Sequence, residues 1–209
     1  MSKKPLKSTL VVGGLTFISR IFGYVRDAVI FIFFGANAGT DAFFVAFRIP
    51  NFLRRLFAEG AFSQAFVPVM SEKLHESETA FQRLINHVSG VLALIVLAIT
   101  IIGVVASPLF IFIFAPGFDD PQQQLLASDM LKITFPYLFF ISLTAMSGSI
   151  LNLKQRFAVP AITPVLLNIS LIAAAIWLAP KLDEPVTALA WVVFLAGIAQ
   201  LAFQIPFLI

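Results

Sequence analysis

The sequence predicts an all-α integral membrane protein, on the strength of its composition, its uninterrupted apolar runs and the charges of its loops. Hydrophobic residues occupy 59% of the 209 positions and charged residues only 12%, whereas soluble proteins average about 25% charged residues. Apolar runs of about 20 residues are long enough to cross a bilayer as helices. The basic residues also gather in alternate loops, which is typical of a chain that crosses the membrane repeatedly. We therefore expect a six-helix transmembrane bundle.

Composition also excludes several classes of function. The chain has no cysteine, so a disulfide framework or a cysteine-based metal or redox site is excluded. His75 and His87 are too few and too far apart to suggest a metal cluster. The basic residues are not interleaved with aromatic residues on a polar surface, so we expect no nucleic-acid partner. Without a Gly-rich phosphate loop, a catalytic triad or a carboxylate dyad, we expect neither an enzyme nor a bound cofactor.

Six spans are predicted, and they differ in how clearly they are marked. We place them at residues 8–34, 41–70, 84–114, 129–153, 157–179 and 185–209, all within one domain covering residues 1–209. Charge-free runs define the last three. The third ends where the turn signal Ala115-Pro116-Gly117 begins. The residues Gly35 to Gly39 form a turn between the first two spans.

The first two spans are unusual because they contain charged residues. A charge at the centre of a spanning helix costs about 2.5–3.5 kcal/mol on insertion scales. These segments therefore belong in the membrane only if their charges face protein or water. Their charged side chains are consequently the first candidates for a functional site.

Loop charges predict the orientation of the chain. One side of the membrane receives seven basic residues, namely Lys3, Lys4, Lys7, Lys73, Arg83, Lys154 and Arg156. On the other side Lys181 is accompanied by five acidic residues, which are Asp119, Asp120, Asp129, Asp183 and Glu184. Because basic loops stay in the cytoplasm, we expect a cytoplasmic N-terminus.

The first span carries a polar sector around Gly23. On a helix with 3.6 residues per turn, Arg20 and Asp27 lie on one face, while Ser19 and Arg26 lie on an adjacent face. Such a sector suits a water-filled cavity that an anionic ligand can enter. The alternative is an Arg20–Asp27 ion pair that only stabilises packing. We favour the cavity, because two arginines against one aspartate leave surplus positive charge.

The second span carries a further cluster. Arg55 and Glu59 are four residues apart and can pair on one helix face, which favours a structural or gating role. Arg54 lies about 100° round the helix from Arg55, one turn after Asn51. We assign Arg54 to ligand contact, since a guanidinium stays charged and donates two parallel hydrogen bonds to a phosphate. For Arg48, ligand contact and snorkelling to the membrane surface stay open alternatives.

These residues together predict a cationic, partly hydrated pocket within a helical bundle. The surplus arginines favour an anion, and phosphate or diphosphate matches them best. The pocket has positive charge without an evident nucleophile or general base, so the pattern indicates transport rather than catalysis.

The same residues resemble the MurJ (MviN) family of bacterial lipid II flippases, and the resemblance covers nearly the whole chain. The matching motifs are Ser19-Arg20, Arg26-Asp27, the run 40–47, Pro50-Asn51, the block 53–68, Ala115-Pro116-Gly117-Phe118, the run 132–137 and the run 164–170. The block from Phe57 to Pro68 is the most specific of these.

The resemblance implies more than the residues show by themselves. The family belongs to the multidrug/oligosaccharidyl-lipid/polysaccharide exporter superfamily, whose members here have about fourteen helices in two lobes around a central cavity. This chain would be one lobe of such an alternating-access transporter, with the second lobe absent. Its partners would be membrane lipids, that second lobe and lipid II, an undecaprenyl-diphosphate-linked disaccharide-peptide. We expect a membrane potential or an ion gradient to drive transport in the bacterial cytoplasmic membrane.

The family's functional positions carry over residue by residue. Its cavity arginines match Arg20, Arg26 and Arg54, which we expect to bind substrate. Roles in cavity structure or gating are expected for Ser19, Asp27, Asp41, Asn51, Arg55 and Glu59.

Two further expectations concern the extent of the chain and the alternatives to a flippase. The chain stops at Ile209 while still apolar, so we expect it to be a fragment or a separable half of a longer protein. The alternatives to a flippase are a multidrug or ion antiporter, which predicts a mainly acidic cavity, and a membrane subunit that binds a partner without transporting.

Overall fold

The computed structural model describes the backbone of residues 3–56 and 62–208, and the side chains of residues 12–56, 66–74 and 77–208. All regular secondary structure within these ranges is helical. The helices are α1 (Lys3–Phe34), α2 (Ala38–Arg54), α3 (Phe62–Glu76), α4 (Glu78–Val105), α5 (Ser107–Phe114), α6 (Pro121–Thr134), α7 (Tyr137–Leu153), α8 (Ala158–Ala173) and α9 (Thr187–Gln204). A π-helical segment, Ala174–Leu178, continues α8.

The predicted all-α membrane fold is confirmed, but the predicted count of six helices is wrong. The expected span 84–114 consists of α4 and α5, and the expected span 129–153 contains the end of α6 followed by α7. Pro108 in the first turn of α5 and Pro136 before α7 lie at these two breaks. Proline has no backbone N–H and its ring clashes with the preceding turn, which interrupts a helix. The expected span 41–70 contains α2 and α3, and residues 57–61 between them lie outside the described ranges.

Four helical segments among the described residues are long and apolar enough to cross a membrane. They are Glu78–Val105, Pro121–Leu153, Ala158–Lys181 and Thr187–Phe207. On α4 the large side chains of Leu94, Ile102 and Val105 are exposed, as lipid-facing residues would be. The segment α1 is not among the four, and it carries Arg20, Arg26 and Asp27.

Side-chain caps begin three of the helices. The Asn37 side chain accepts a hydrogen bond from the backbone N–H of Thr40 and begins α2, directly after a turn in which Gly35 adopts a φ of +68°. Positive φ is accessible to glycine at little steric cost, because glycine has no Cβ. Ser77 and Asp120 cap α4 and α6 in the same way as Asn37.

The helices α6, α7 and α9 contribute most of the fully buried side chains. Met130, Leu131, Leu138, Leu189 and Val193 are all shielded from solvent. The helix α1 packs against α8, and α2 packs against α6 and α7. This arrangement brings the polar faces of α1 and α2 to the same side of the bundle as α8.

Pro50 lies inside α2 without ending the helix. Because Pro50 has no N–H, the carbonyl of Ala46, four residues earlier, loses its usual helical donor. The hydroxyl of Thr134 on α6 donates to that carbonyl oxygen at 2.9 Å. Thr134 is fully buried, so this bond satisfies an acceptor that water does not reach.

We expect Thr134→Val to destabilise the bundle by about 1–3 kcal/mol, because it leaves the buried Ala46 carbonyl without a donor. Thermal unfolding of the purified protein in detergent measures the change. Thr187→Val is the matched control, since Thr187 lies at an exposed helix start and bonds only to the Glu184 carbonyl. Equal unfolding temperatures for the two variants would contradict the proposed bond.

Candidate functional site

A cavity of about 860 Å³ lies among α1, α2, α7, α8 and α9. Its charged lining residues are Arg26, Asp27, Arg48, Arg54 and Arg55, so four arginines face one aspartate. The neutral polar lining consists of Asn51, Asn168 and Gln200. Aromatic and aliphatic side chains complete the wall, namely Phe44, Phe47, Phe52, Tyr137, Ile141, Pro164 and Leu167.

Arg26 is held by two neighbours at the edge of this cavity. Its Nε and Nη2 donate to Oδ1 of Asp27 at 2.8 and 2.6 Å, and its Nη1 donates to Oδ1 of Asn168 at 3.0 Å. The amide nitrogen of Asn168 donates in turn to the carbonyl oxygen of Ser19 at 3.3 Å. The side chains of Arg26 and Asp27 are 20% and 55% exposed, so the pair is open to an aqueous ligand. A guanidinium has five N–H donors, which leaves two of them for a ligand.

This geometry corrects the alternative ion pair on the first span. Asp27 pairs with Arg26, its neighbour in sequence, and not with Arg20. Arg20 is exposed on α1 and is not part of the cavity lining. The two predicted faces of α1 still differ in their surroundings. One face, with Ser19, Gly23 and Arg26, lies against Asn168 of α8. The other face, with Arg20 and Asp27, is more exposed.

The cations of the second predicted span lie along α2 and its C-terminal cap. Arg48, Arg54 and Arg55 all line the cavity, so Arg48 is placed beside the residues expected to bind ligand. The side chain of Asn51 donates to the backbone oxygen of Phe47 at 3.2 Å, which turns its amide toward the helix.

Two further predicted site residues that the structure describes, Ser19 and Asp41, do not line the cavity. Ser19 meets Asn168 through its backbone oxygen, and Asp41 is exposed in the first turn of α2. Glu59, and with it the expected Arg55–Glu59 pair, lies outside the described residues. The roles assigned to Arg20, Ser19, Asp41 and Glu59 stay predictions.

Sequence reasoning missed the neutral amides that complete the site. Asn168, Gln200 and Gln204 lie in the last two predicted spans, and each is at most 6% exposed. Their position inside apolar spans could have identified them, because burying an amide side chain without a hydrogen-bond partner costs free energy. The chain offered three such amides in segments that otherwise read as lipid-facing.

A second pocket of about 310 Å³ adjoins the cavity between α7, α8 and α9. The two spaces share Arg54, Ile141, Pro164 and Gln200 as lining residues. Arg54 therefore lies at the junction, with a cationic cavity on one side and an uncharged polar pocket on the other.

Comparisons with known proteins agree with one another. A family model described as "Lipid II flippase MurJ" matches residues 30–209. A protein of Vibrio cholerae named "Probable lipid II flippase MurJ" is 48% identical over 100% of this chain and 42% of its own length. The "Lipid II flippase MurJ" of Burkholderia cenocepacia is 46% identical over 96% of this chain and 39% of its own length.

A solved structure gives the same result for the fold. It is titled "Lipid II flippase MurJ, inward closed conformation", and it matches with a TM-score of 0.76 and 34% sequence identity. The match covers 93% of this chain and 41% of that structure. The chain thus spans about two fifths of the length of the relatives that it matches.

Proposed function

Because this chain belongs to the MurJ family of lipid II flippases, we propose that it forms the lobe of a flippase that binds the diphosphate of lipid II. The transported substrate is an undecaprenyl-diphosphate-linked disaccharide-peptide, carried from the cytoplasmic to the periplasmic leaflet by alternating access. The observation that carries the proposal is the cavity in which four arginines face one aspartate.

The arrangement of the arginines matches the charge of a diphosphate. Arg26 is pre-oriented by Asp27 and Asn168, which lowers the entropy lost when it binds a ligand. Arg54 and Arg48 line the same cavity from α2. Their planar guanidinium groups donate paired hydrogen bonds to phosphate oxygens, and such charge-assisted bonds are stronger than bonds between neutral groups.

The membrane setting follows from the same proposal. The seven basic residues on one side support an N-terminus in the cytoplasm, and membership of a bacterial flippase family supports the inner membrane as the location. A membrane potential or an ion gradient resets the cycle, and the second lobe supplies the opposite wall of the cavity. The antiporter alternative predicts a mainly acidic cavity, whereas arginine predominates here.

A chimera tests the proposal. In it, this chain replaces the matching segment of the Burkholderia cenocepacia relative. We expect the chimera to restore growth to a bacterium depleted of its own lipid II flippase, because the two segments are 46% identical over 96% of this chain. The intact relative is the positive control.

Two further measurements complete that experiment. Membrane fractionation with a tag at the C-terminus establishes that the chimera is inserted and present at the level of the intact relative. A chimera that is inserted at this level and fails to restore growth contradicts the proposed function. Expression of this chain alone in the same depleted bacterium tests whether one lobe suffices for transport.

A further inference from the structure

The pocket beside Arg54 differs in chemistry from the cavity it adjoins. Apart from Arg54 at the junction, its polar lining is uncharged, and comprises Thr144, Ser149, Asn152, Thr163, Gln200 and Gln204. Its volume of about 310 Å³ is at the lower end of the range of small-molecule sites. The pocket therefore suits a compact, neutral and hydrogen-bonding group.

The orientation of both glutamine amides is determined by Thr163. Gln200 donates through Nε2 to the backbone oxygen of Thr163 at 3.1 Å. Gln204 donates through Nε2 to Oγ1 of Thr163 at 2.9 Å. The Thr163 hydroxyl donates its own proton to the backbone oxygen of Val159 at 2.8 Å, so toward Gln204 it can only accept. Each amide thus turns its nitrogen to Thr163.

Both glutamine carbonyl oxygens are consequently left without a donor. Gln200 and Gln204 are 2% and 1% exposed, and neither Oε1 accepts a hydrogen bond from any described residue. A buried acceptor that has lost its water is unfavourable until a donor reaches it. Two such acceptors in residues that line one pocket indicate an occupant that brings donors.

Other groups of the pocket are acceptors as well. The hydroxyls of Thr144 and Ser149 donate to the backbone oxygens of Phe140 and Ala145, which leaves only their lone pairs for a ligand. Residue 164 is proline, so the carbonyl of Pro160, a residue that also lines the pocket, lacks its usual helical donor. Away from Arg54, these acceptors outnumber the amide donor of Asn152, so this part of the wall favours a group rich in O–H and N–H over phosphate oxygens.

We infer that the side pocket is a subsite for a sugar ring of the substrate whose diphosphate lies at the arginines. A sugar is uncharged, compact and rich in hydroxyl donors, and Arg54 lies where the two parts of the ligand meet. This inference rests on the proposed function and adds to it the discrimination between a lipid diphosphate that carries a sugar and one that does not.

Two variants test the subsite in different ways. Ala145→Leu fills the pocket with a larger apolar side chain and leaves the glutamines in place. The double variant Gln200→Met with Gln204→Met keeps the side-chain volume and removes both amide acceptors. The matched control is Ala199→Leu, which makes the same change in a separate groove of about 440 Å³ lined by Trp177 and Leu195.

The measurement is the affinity of the full chain, in lipid nanodiscs, for lipid II and for undecaprenyl diphosphate, which lacks the sugars. We expect the wild type and Ala199→Leu to prefer lipid II. We expect Ala145→Leu to lose about tenfold in affinity for lipid II, or about 1.4 kcal/mol, with less than about a twofold change for undecaprenyl diphosphate. The double methionine variant should likewise bind lipid II less tightly relative to undecaprenyl diphosphate.

The outcomes distinguish failure of the sugar subsite from failure of the diphosphate site. Equal binding of the two lipids by the wild type, or an unchanged preference in both pocket variants, overturns the sugar subsite and leaves the diphosphate site intact. Binding of neither lipid by the wild type overturns both the subsite and the proposed diphosphate-binding role. Thermal unfolding of each variant establishes that the compared proteins are folded.

Discussion

Arg54→Ala is expected to reduce the affinity for undecaprenyl diphosphate by about 10- to 100-fold, since a charge-assisted hydrogen bond contributes about 1.5–3 kcal/mol. Arg54 lines both the cationic cavity and the adjoining pocket. Its removal therefore weakens binding of the diphosphate, whether or not the lipid carries sugars. This dependence separates Arg54 from Ala145, which lines only the adjoining pocket and whose enlargement should affect only the sugar-bearing lipid.

Arg54→Lys distinguishes charge from geometry. Lysine keeps the positive charge but offers a point-like ammonium in place of the planar fork. We expect partial recovery if charge is the main contribution, and little recovery if two parallel hydrogen bonds are required. In the chimera, growth should follow the same order as the affinities.

The matched control for this prediction is Arg83→Ala. Arg83 is exposed on α4 and belongs to neither pocket. Arg83→Ala therefore removes the same charge from the chain and leaves the lining of the cavity unchanged. If Arg54→Ala and Arg83→Ala bind undecaprenyl diphosphate equally well and both proteins are folded, Arg54 is not a diphosphate ligand.

Gly103→Ala is expected to produce a large loss of stability. A Cβ built at Gly103 of α4 would lie 2.0 Å from Cε1 and Cζ of Phe135. Phe135 is fully buried and packs its ring at 5.5 Å from that of Phe110. The ring cannot swing into solvent, so α4 has to move away from α6. We expect a destabilisation of at least about 1–3 kcal/mol, the usual range for an overpacked core.

Thermal unfolding in detergent measures this loss, and Gly90→Ala in the same helix is the control. A Cβ at Gly90 meets nothing within 4 Å, so there alanine should stabilise the helix by up to about 1 kcal/mol. The double variant Gly103→Ala with Phe135→Leu should recover part of the stability, because the smaller side chain vacates space. Strictly additive effects of the two changes would contradict a direct contact.

The fold class could be predicted because it depends on composition and on the length of apolar runs. The number of helices could not, because prolines act differently in different surroundings. Pro108 and Pro136 lie at breaks between helices, whereas Pro50 lies inside α2. At Pro50, the Thr134 hydroxyl donates to the Ala46 carbonyl, which the proline leaves without its helical donor. Thr134 is 88 residues away from Ala46 in sequence, so a local sequence pattern does not reveal this bond.

The candidate site could be predicted in part for a related reason. Charges are costly in a membrane, so Arg26, Asp27, Arg54 and Arg55 are conspicuous in sequence, and the structure does bring them to one cavity. Asn168 and Gln200 are neutral amides in apolar spans, and each makes a hydrogen bond to a residue of another helix. Their place in the site therefore depends on how α8 and α9 pack.

The sequence by itself determined that the chain is a helical membrane protein, that its first two spans carry charge, and that arginine outnumbers acid there. These properties follow from transfer free energies and helical period, which act residue by residue. Only the tertiary structure decided that Asp27 pairs with Arg26 and that an uncharged pocket adjoins Arg54. Helical period assigns a residue to a face, whereas the hydrogen bonds it makes depend on which side chains of other helices lie within about 3 Å.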